Sequence, residues 1–160
     1  MSEDNGNSNA PLARSRARLA AVQALYQMDL AGTDLAEVIE EFKTHRIGRE
    51  VEDRAIAGAD PEHFARILHG AVEHQRDLDP VIDGQLAAGW RLVRVDAILR
   101  AILRAGAFEL QEGTDVPPRV VINEYVNVAH AFFAGDEPKV VNGVLDALAR
   151  KLRPGALPER

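Results

Sequence analysis

Cysteine is absent from this 160-residue sequence, which removes disulfide scaffolds, thiol chemistry and cysteine-ligated zinc or iron-sulfur sites together. There is no run of about 18 apolar residues to span a bilayer, and the N-terminus lacks an apolar stretch of signal-peptide length. Aromatics are scarce, at 5% with a single Trp, so aliphatic side chains and alanine must build the core. Acidic residues are missing between Ala10 and Met28, although the chain holds 25 Asp plus Glu against 19 Lys plus Arg and a formal charge of -6. That balance disfavours indiscriminate attraction to nucleic acid, while a local basic patch remains able to bind it. The chain reads as a cytosolic protein without membrane association, whose acidic body suits encounter with a basic protein.

What is present is helical spacing. Leu19, Val22 and Tyr26 line one stripe between Arg14 and Leu30, with Leu25 and Met28 beside it. Gly32 and Thr33 break that helix, and Asp34 is placed to cap a second, through about Thr44, with Leu35, Val38, Ile39 and Phe42 inward. Residues 46–59 have mixed charge and weak periodicity and read as a long loop with helical turns. Asp60-Pro61 opens a third helix carrying Phe64, Ile67, Leu68, Ala71 and Val72. A fourth runs from about Asp79 to Ala88. Val95, Ile98, Leu99, Ile102, Leu103, Ala107 and Leu110 mark a long buried helix, in which Gly106 predicts close helix contact. Ile122, Tyr125, Ala129 and Phe132 give a sixth helix, and Val141, Val144, Leu145, Leu148 and Leu152 a seventh, with Gly143 as another contact point. The predicted fold is all-α, a compact bundle of about seven helices over residues 13–153, splitting into two smaller bundles. A disordered tail, 1–12, precedes it, and a flexible tail, 154–160, follows.

Catalytic patterns are lacking. The five histidines have no i,i+3 or i,i+4 pairing for a metal, and no nucleophile elbow, phosphate loop or dinucleotide fingerprint occurs. Glu73 with Asp77, and Glu109 with Glu112, share helical faces but read as solvated carboxylates. No enzyme, metal or cofactor is expected. The feature needing a reason is Arg14, Arg16 and Arg18. Cations at a helix N-terminus gain nothing from the macrodipole. They are either a solvated helix start or contacts to phosphate, with Arg14 and Arg18, one turn apart, projecting together.

ARSRARLAAVQALYQMDL, HFARILHGAV, AILRAGAFEL, VPPRVVINEYVNVAHAF and KVVNGVLDALARKLRP follow one another from about residue 13 to residue 154. In this order they resemble the NusB family of bacterial transcription antitermination factors. The resemblance implies two three-helix bundles plus a connecting helix. It also implies a non-enzymatic role in which the protein pairs with NusE, the small-subunit ribosomal protein, binds the boxA element of nascent RNA, and supports RNA polymerase on ribosomal RNA operons within an antitermination complex. Arg14, Arg16 and Arg18 match the family's RNA-facing helix start. AHAFFAGDEPKVVNG matches its second RNA-facing region and brings in Phe132, Asp136 and Lys139. Phe132 is either a base-stacking ring or a core residue, and Asp136 either a helix cap or an acceptor for a base amino group. Ser15 and Val140 stand where relatives often carry Arg and Phe, which reduces the implied RNA surface. For NusE the resemblance points to Tyr26, Asp96 and Arg100. Readings from other classes are an appendage of an RNA methyltransferase, which would need a further α/β domain and a cysteine, and a helical adaptor that binds only protein, including as a homodimer.

Overall fold

The computed structural model describes residues 2–48, 54–87, 90–112 and 115–158. These form seven α-helices and, among the described residues, no strand, so the all-α reading holds. They are α1 (Ser2–Ala31), α2 (Leu35–Glu41), α3 (Pro61–Glu73), α4 (Gln75–Asp83), α5 (Ala97–Glu112), α6 (Pro118–Phe132) and α7 (Glu137–Leu152). A π-helical turn, Phe42–Arg46, extends α2, and a 3-10 turn, Leu92–Arg94, precedes α5. The chain divides into two compact units, Met1–His69 and Gly70–Arg160, with the division inside α3.

In the first unit, the buried stripe of α1 is Ala17, Ala20, Ala21, Val22, Ala24 and Leu25. Leu19 and Tyr26, which the spacing placed at its centre, are only half-buried. Small residues let a helix approach its neighbours closely but give little apolar contrast in sequence, so the stripe is rotated toward alanine. The helix also starts earlier than expected. Its backbone is helical from Ser2 with Pro11 inside, and Ser15 Oγ donates to the Pro11 carbonyl at 3.1 Å. Gly32, at φ +67°, ends α1 in the left-handed conformation that glycine adopts without strain, its N–H bonded to the Met28 carbonyl at 2.9 Å. Asp34 precedes α2 in extended conformation but makes no side-chain cap bond. Asp60 does cap α3, its Oδ1 accepting from the amides of Glu62 and His63 at 3.0 and 3.1 Å. Of the long loop, residues 49–53 lie outside the described residues. Ile47, Ile56 and Ala59 are buried, and Gly58 donates to the Ile47 carbonyl at 3.0 Å.

In the second unit, α5 is covered on nearly every side. Leu99, Ala101–Leu103 and Ala105–Leu110 are all buried, as expected of a helix surrounded by others. Helices α6 and α7 pack on it and on each other, and α4 also packs against it. A Cβ on Gly106 would stand 2.7 Å from Leu145 Cδ1, so this glycine lets α7 approach α5 closely, whereas at 3.4 Å from Tyr125 Cδ2 it would only be in ordinary contact with α6. Gly143, predicted as a second contact point, is exposed with nothing within 4 Å of where a Cβ would stand. Helix α4 begins at Gln75, immediately after the one-residue break at His74, and Pro80 lies inside it. The Asp79-Pro80 pair copies the cap signature of Asp60-Pro61, but Asp79 is instead bound through both oxygens to Arg104, at 2.9 and 2.8 Å. Glu109 is likewise no solvated carboxylate: it is 6% exposed, and the Tyr125 hydroxyl donates to its Oε2 at 2.5 Å.

Helix α7 is tied down at its far end. Arg153 donates to the carbonyls of Leu110, Val116 and Glu109 at 2.9, 2.8 and 3.2 Å, closing the C-terminus of α5. Arg150 bonds Asp146 Oδ1 at 2.7 Å and the Pro158 carbonyl at 2.8 Å, and Leu157 is buried. Residues 154–158 thus turn back onto the unit.

Candidate nucleic-acid interface

The three N-terminal arginines part company. Arg14 is exposed. Arg16 is half-buried and donates from Nη1 to the Ala57 carbonyl at 2.8 Å. Arg18 is 2% exposed and engaged with other groups of the chain. Position 18 stands three, four and seven residues before Ala21, Val22 and Leu25, which places it on the buried stripe. Arg14 lies one turn earlier, ahead of the first buried residue, and remains in solvent. Arg14 and Arg18, one turn apart, therefore differ in exposure: Arg18 is buried, and the accessible charge comes from Arg14 with part of Arg16.

The turn of α1 that carries the arginines is also fixed in place. The Asp60 amide donates to the Ala13 carbonyl at 2.9 Å, and with Arg16 on Ala57 this pins the segment preceding α3 beside the arginines. Arg14 is therefore presented from a braced helix turn.

In the second unit, Phe132 closes α6 and Phe133 follows it in extended conformation, its amide bonded to the Ala129 carbonyl at 2.9 Å. Both rings are half-buried, so neither is a core phenylalanine. Asp136, at the start of α7, is exposed and makes no side-chain cap bond, which leaves its carboxylate open to an external donor. Lys139 is exposed. Sequence reasoning passed over Glu137, whose Oε2 is buried with no hydrogen-bond partner among the described residues and would stand 2.9 Å from a Cβ on Gly135. Two carboxylates beside one lysine make this loop unsuited to gripping phosphate alone. A ring, an open carboxylate and one cation suit contact with a nucleobase and its neighbouring phosphate.

The residues expected to face a protein partner also differ in kind. Tyr26 is half-buried on α1. Asp96 is exposed and caps α5, its Oδ1 accepting from the Ile98 amide at 2.8 Å. Arg100 is turned onto its own unit, Nη1 lying 3.2, 3.3 and 3.4 Å from the carbonyls of Leu92, Val93 and Val95. It braces the 3-10 turn. Asp83 holds the same turn from the other side, accepting from the Leu92 amide at 2.9 Å. On this braced turn Val93 is 82% exposed, an apolar residue that helical periodicity cannot flag because it lies between helices.

Comparison with known proteins bears on the family of the chain as a whole. The family model described as the NusB family matches residues 15–150. The transcription antitermination protein NusB of Allorhizobium ampelinum is 53% identical over 140 residues, covering 88% of each chain. That of Rhodopseudomonas palustris is 54% identical over 140 residues, covering 88% of this chain and 83% of its own. Among solved structures, T. maritima NusB superposes with a TM-score of 0.73 at 30% identity, covering 88% of this chain and 93% of that one. A structure of antitermination factors NusB and NusE in complex with dsRNA matches with a TM-score of 0.70 at 25% identity, covering 87% of this chain and 97% of that one. With a matching model over most of its length and relatives more than half identical to it, the chain belongs to the NusB family of transcription antitermination proteins.

Proposed function

We propose that this antitermination factor binds boxA-containing nascent RNA jointly with NusE and, as part of the RNA polymerase antitermination complex in the cytoplasm, sustains transcription of ribosomal RNA operons. The observation that carries the reading is the braced, exposed Arg14 with Arg16 beside it, in a chain resembling a protein solved with NusE and RNA. In this mechanism Arg14 and Arg16 contact phosphates and Lys139 adds another. Phe132 stacks on an unpaired base, and Asp136 accepts from a base amino group. Tyr26 and Asp96 face NusE, while Arg18 and Arg100 are positioning residues that hold α1 and the turn before α5.

Magnitudes explain the need for two polypeptides. Two arginines neutralising one phosphate each on a single strand give a log-log salt slope of about -1.4, so fourfold more salt weakens their contribution about sevenfold. That is a weak grip. A basic second subunit adds phosphate contacts, and each binding event then favours the other. Titrating labelled boxA RNA with the full chain, alone and with NusE, tests the reading. Tighter binding with NusE, and loss of affinity for scrambled RNA, are expected. Equal affinities with and without NusE reject joint recognition, and indifference to sequence rejects boxA.

A further inference from the structure

The first unit carries a second set of cations that the family-derived sites do not include. The π-helical turn Phe42–Arg46 is closed by the Ile47 amide on the Phe42 carbonyl at 2.9 Å. Its wider winding turns Phe42 inward, 1% exposed, while Lys43, Thr44 and His45 stand in solvent. Such turns are uncommon and recur at functional sites. Arg46 then folds back, its guanidinium carbon 4.7 Å from the centre of the Phe42 ring. Phe42 is in turn stacked on Phe64, with centroids 5.4 Å apart and planes 18° from parallel. Two rings and a half-exposed guanidinium thus form one column ending at the surface.

This column lies beside α1. Arg46 Nη2 is 3.4 Å from Gln23 Oε1, and Gln23 follows Arg16 by two turns on the same helix face. At ~1.5 Å per residue the two positions are about 10 Å apart along α1, a distance that about three stacked nucleotides cover at ~3.4 Å each. Two neighbouring carboxylates are turned to donors of their own: Glu40 accepts from Thr44 at 3.2 Å and Glu41 from Gln27 at 2.9 Å. A guanidinium held over a ring keeps its outer side for a second flat partner, and nucleobases of single-stranded RNA stack on arginine planes.

We infer that the turn Phe42–Arg46 is a second RNA contact on the first unit, with Arg46 as a stacking platform for an unpaired base and Lys43 as a contact to an adjacent phosphate. The inference rests on the RNA-binding reading and extends the strand's path from Arg14 and Arg16 along α1. A stacked guanidinium loses little freedom on binding, because Phe42 and Gln23 already restrict it. Arg46 is accordingly worth more for its plane than for its charge, and Lys43 for its charge alone.

The test titrates single-stranded boxA RNA containing 2-aminopurine with the full chain and NusE across a series of salt concentrations. Lys43→Gln, a change in solvent, is expected to reduce the steepness of the log-log salt slope by about 0.7. Arg46→Lys is expected to keep the slope, weaken binding roughly tenfold and diminish the change in 2-aminopurine fluorescence on binding. Circular dichroism of each variant checks that helix content is unchanged. If both variants match wild type in slope, affinity and fluorescence while Arg14→Ala binds more weakly, the second contact is overturned and the RNA reading stands. If the wild-type chain with NusE does not bind the RNA, both are overturned.

Discussion

Replacing Tyr125 with phenylalanine deletes one oxygen from the middle of the second unit and leaves the ring in place. Tyr125 is 0% and Glu109 6% exposed, and the hydroxyl donates to Glu109 Oε2 at 2.5 Å. A buried hydrogen bond to a carboxyl group contributes about 1.5 to 3 kcal/mol, and removing one partner leaves the other less satisfied where water cannot replace it. For a chain of this length each kcal/mol shifts Tm by about 2 to 4 °C, so Tyr125→Phe is expected to melt roughly 3 to 12 °C below wild type. Scanning calorimetry measures the shift and urea titration the free energy. The variant's m-value should be unchanged, since nothing about the exposed surface of the unfolded chain differs. Glu109→Gln keeps an acceptor for the hydroxyl and should cost less, about 1 kcal/mol. The double variant should show coupling, with a loss smaller than the sum of the two. A Tyr125→Phe protein melting within 1 °C of wild type, by ~0.5 kcal/mol or less, would refute the reasoning that this bond holds α6 to α5.

Gly106→Ala should destabilise by about 1 to 3 kcal/mol despite alanine's better helix propensity, because its Cβ would meet Leu145 at 2.7 Å; urea midpoints decide this. Gly143→Ala, with open space around it, should raise stability by about 0.5 to 1 kcal/mol in the same assay. Arg14→Ala should weaken RNA binding and flatten its salt dependence with Tm unchanged, whereas Arg18→Gln should lower Tm, because Arg18 is 2% exposed. A reversed pattern in RNA titration and calorimetry would return Arg18 to the RNA surface. Arg153→Ala leaves two α5-end carbonyls, Glu109 and Leu110, and that of Val116 beyond the helix without their donor and should speed amide exchange at the end of α5, read by hydrogen-deuterium exchange.

The helices were readable wherever large aliphatic side chains recur at helical spacing, as in α5 and α7, and where Asp60-Pro61 marks a start. Alanine defeated the same reading in α1. Its stripe of Ala17, Ala20, Ala21 and Ala24 has no polar contrast, so neither the rotation of the helix nor the burial of Arg18 could be inferred from the arginine pattern alone. The fourth helix, read from about Asp79, begins at Gln75, and Asp79 inside it pairs with Arg104, 25 residues away, a partner that no short window contains. Glu109 follows the same logic, since a carboxyl in a buried helix needs a donor from another element, and Tyr125 was visible only as an apolar position. Among the candidate site residues, Arg14, Asp136 and Lys139 were placed in solvent as their types suggest. Arg16 and Arg100 bind backbone carbonyls of their own unit, an allegiance that depends on where loops return.

The fork of Arg153 has a consequence for the order of events at birth. Its acceptor carbonyl on Leu110 precedes it by 43 residues, and translation adds about 5 to 20 residues each second. The end of the central helix accordingly waits about 2 to 9 s for its donor. Through that interval the nascent helix frays at this end, and a chain halted before Arg153 should be a preferred substrate for proteolytic disposal.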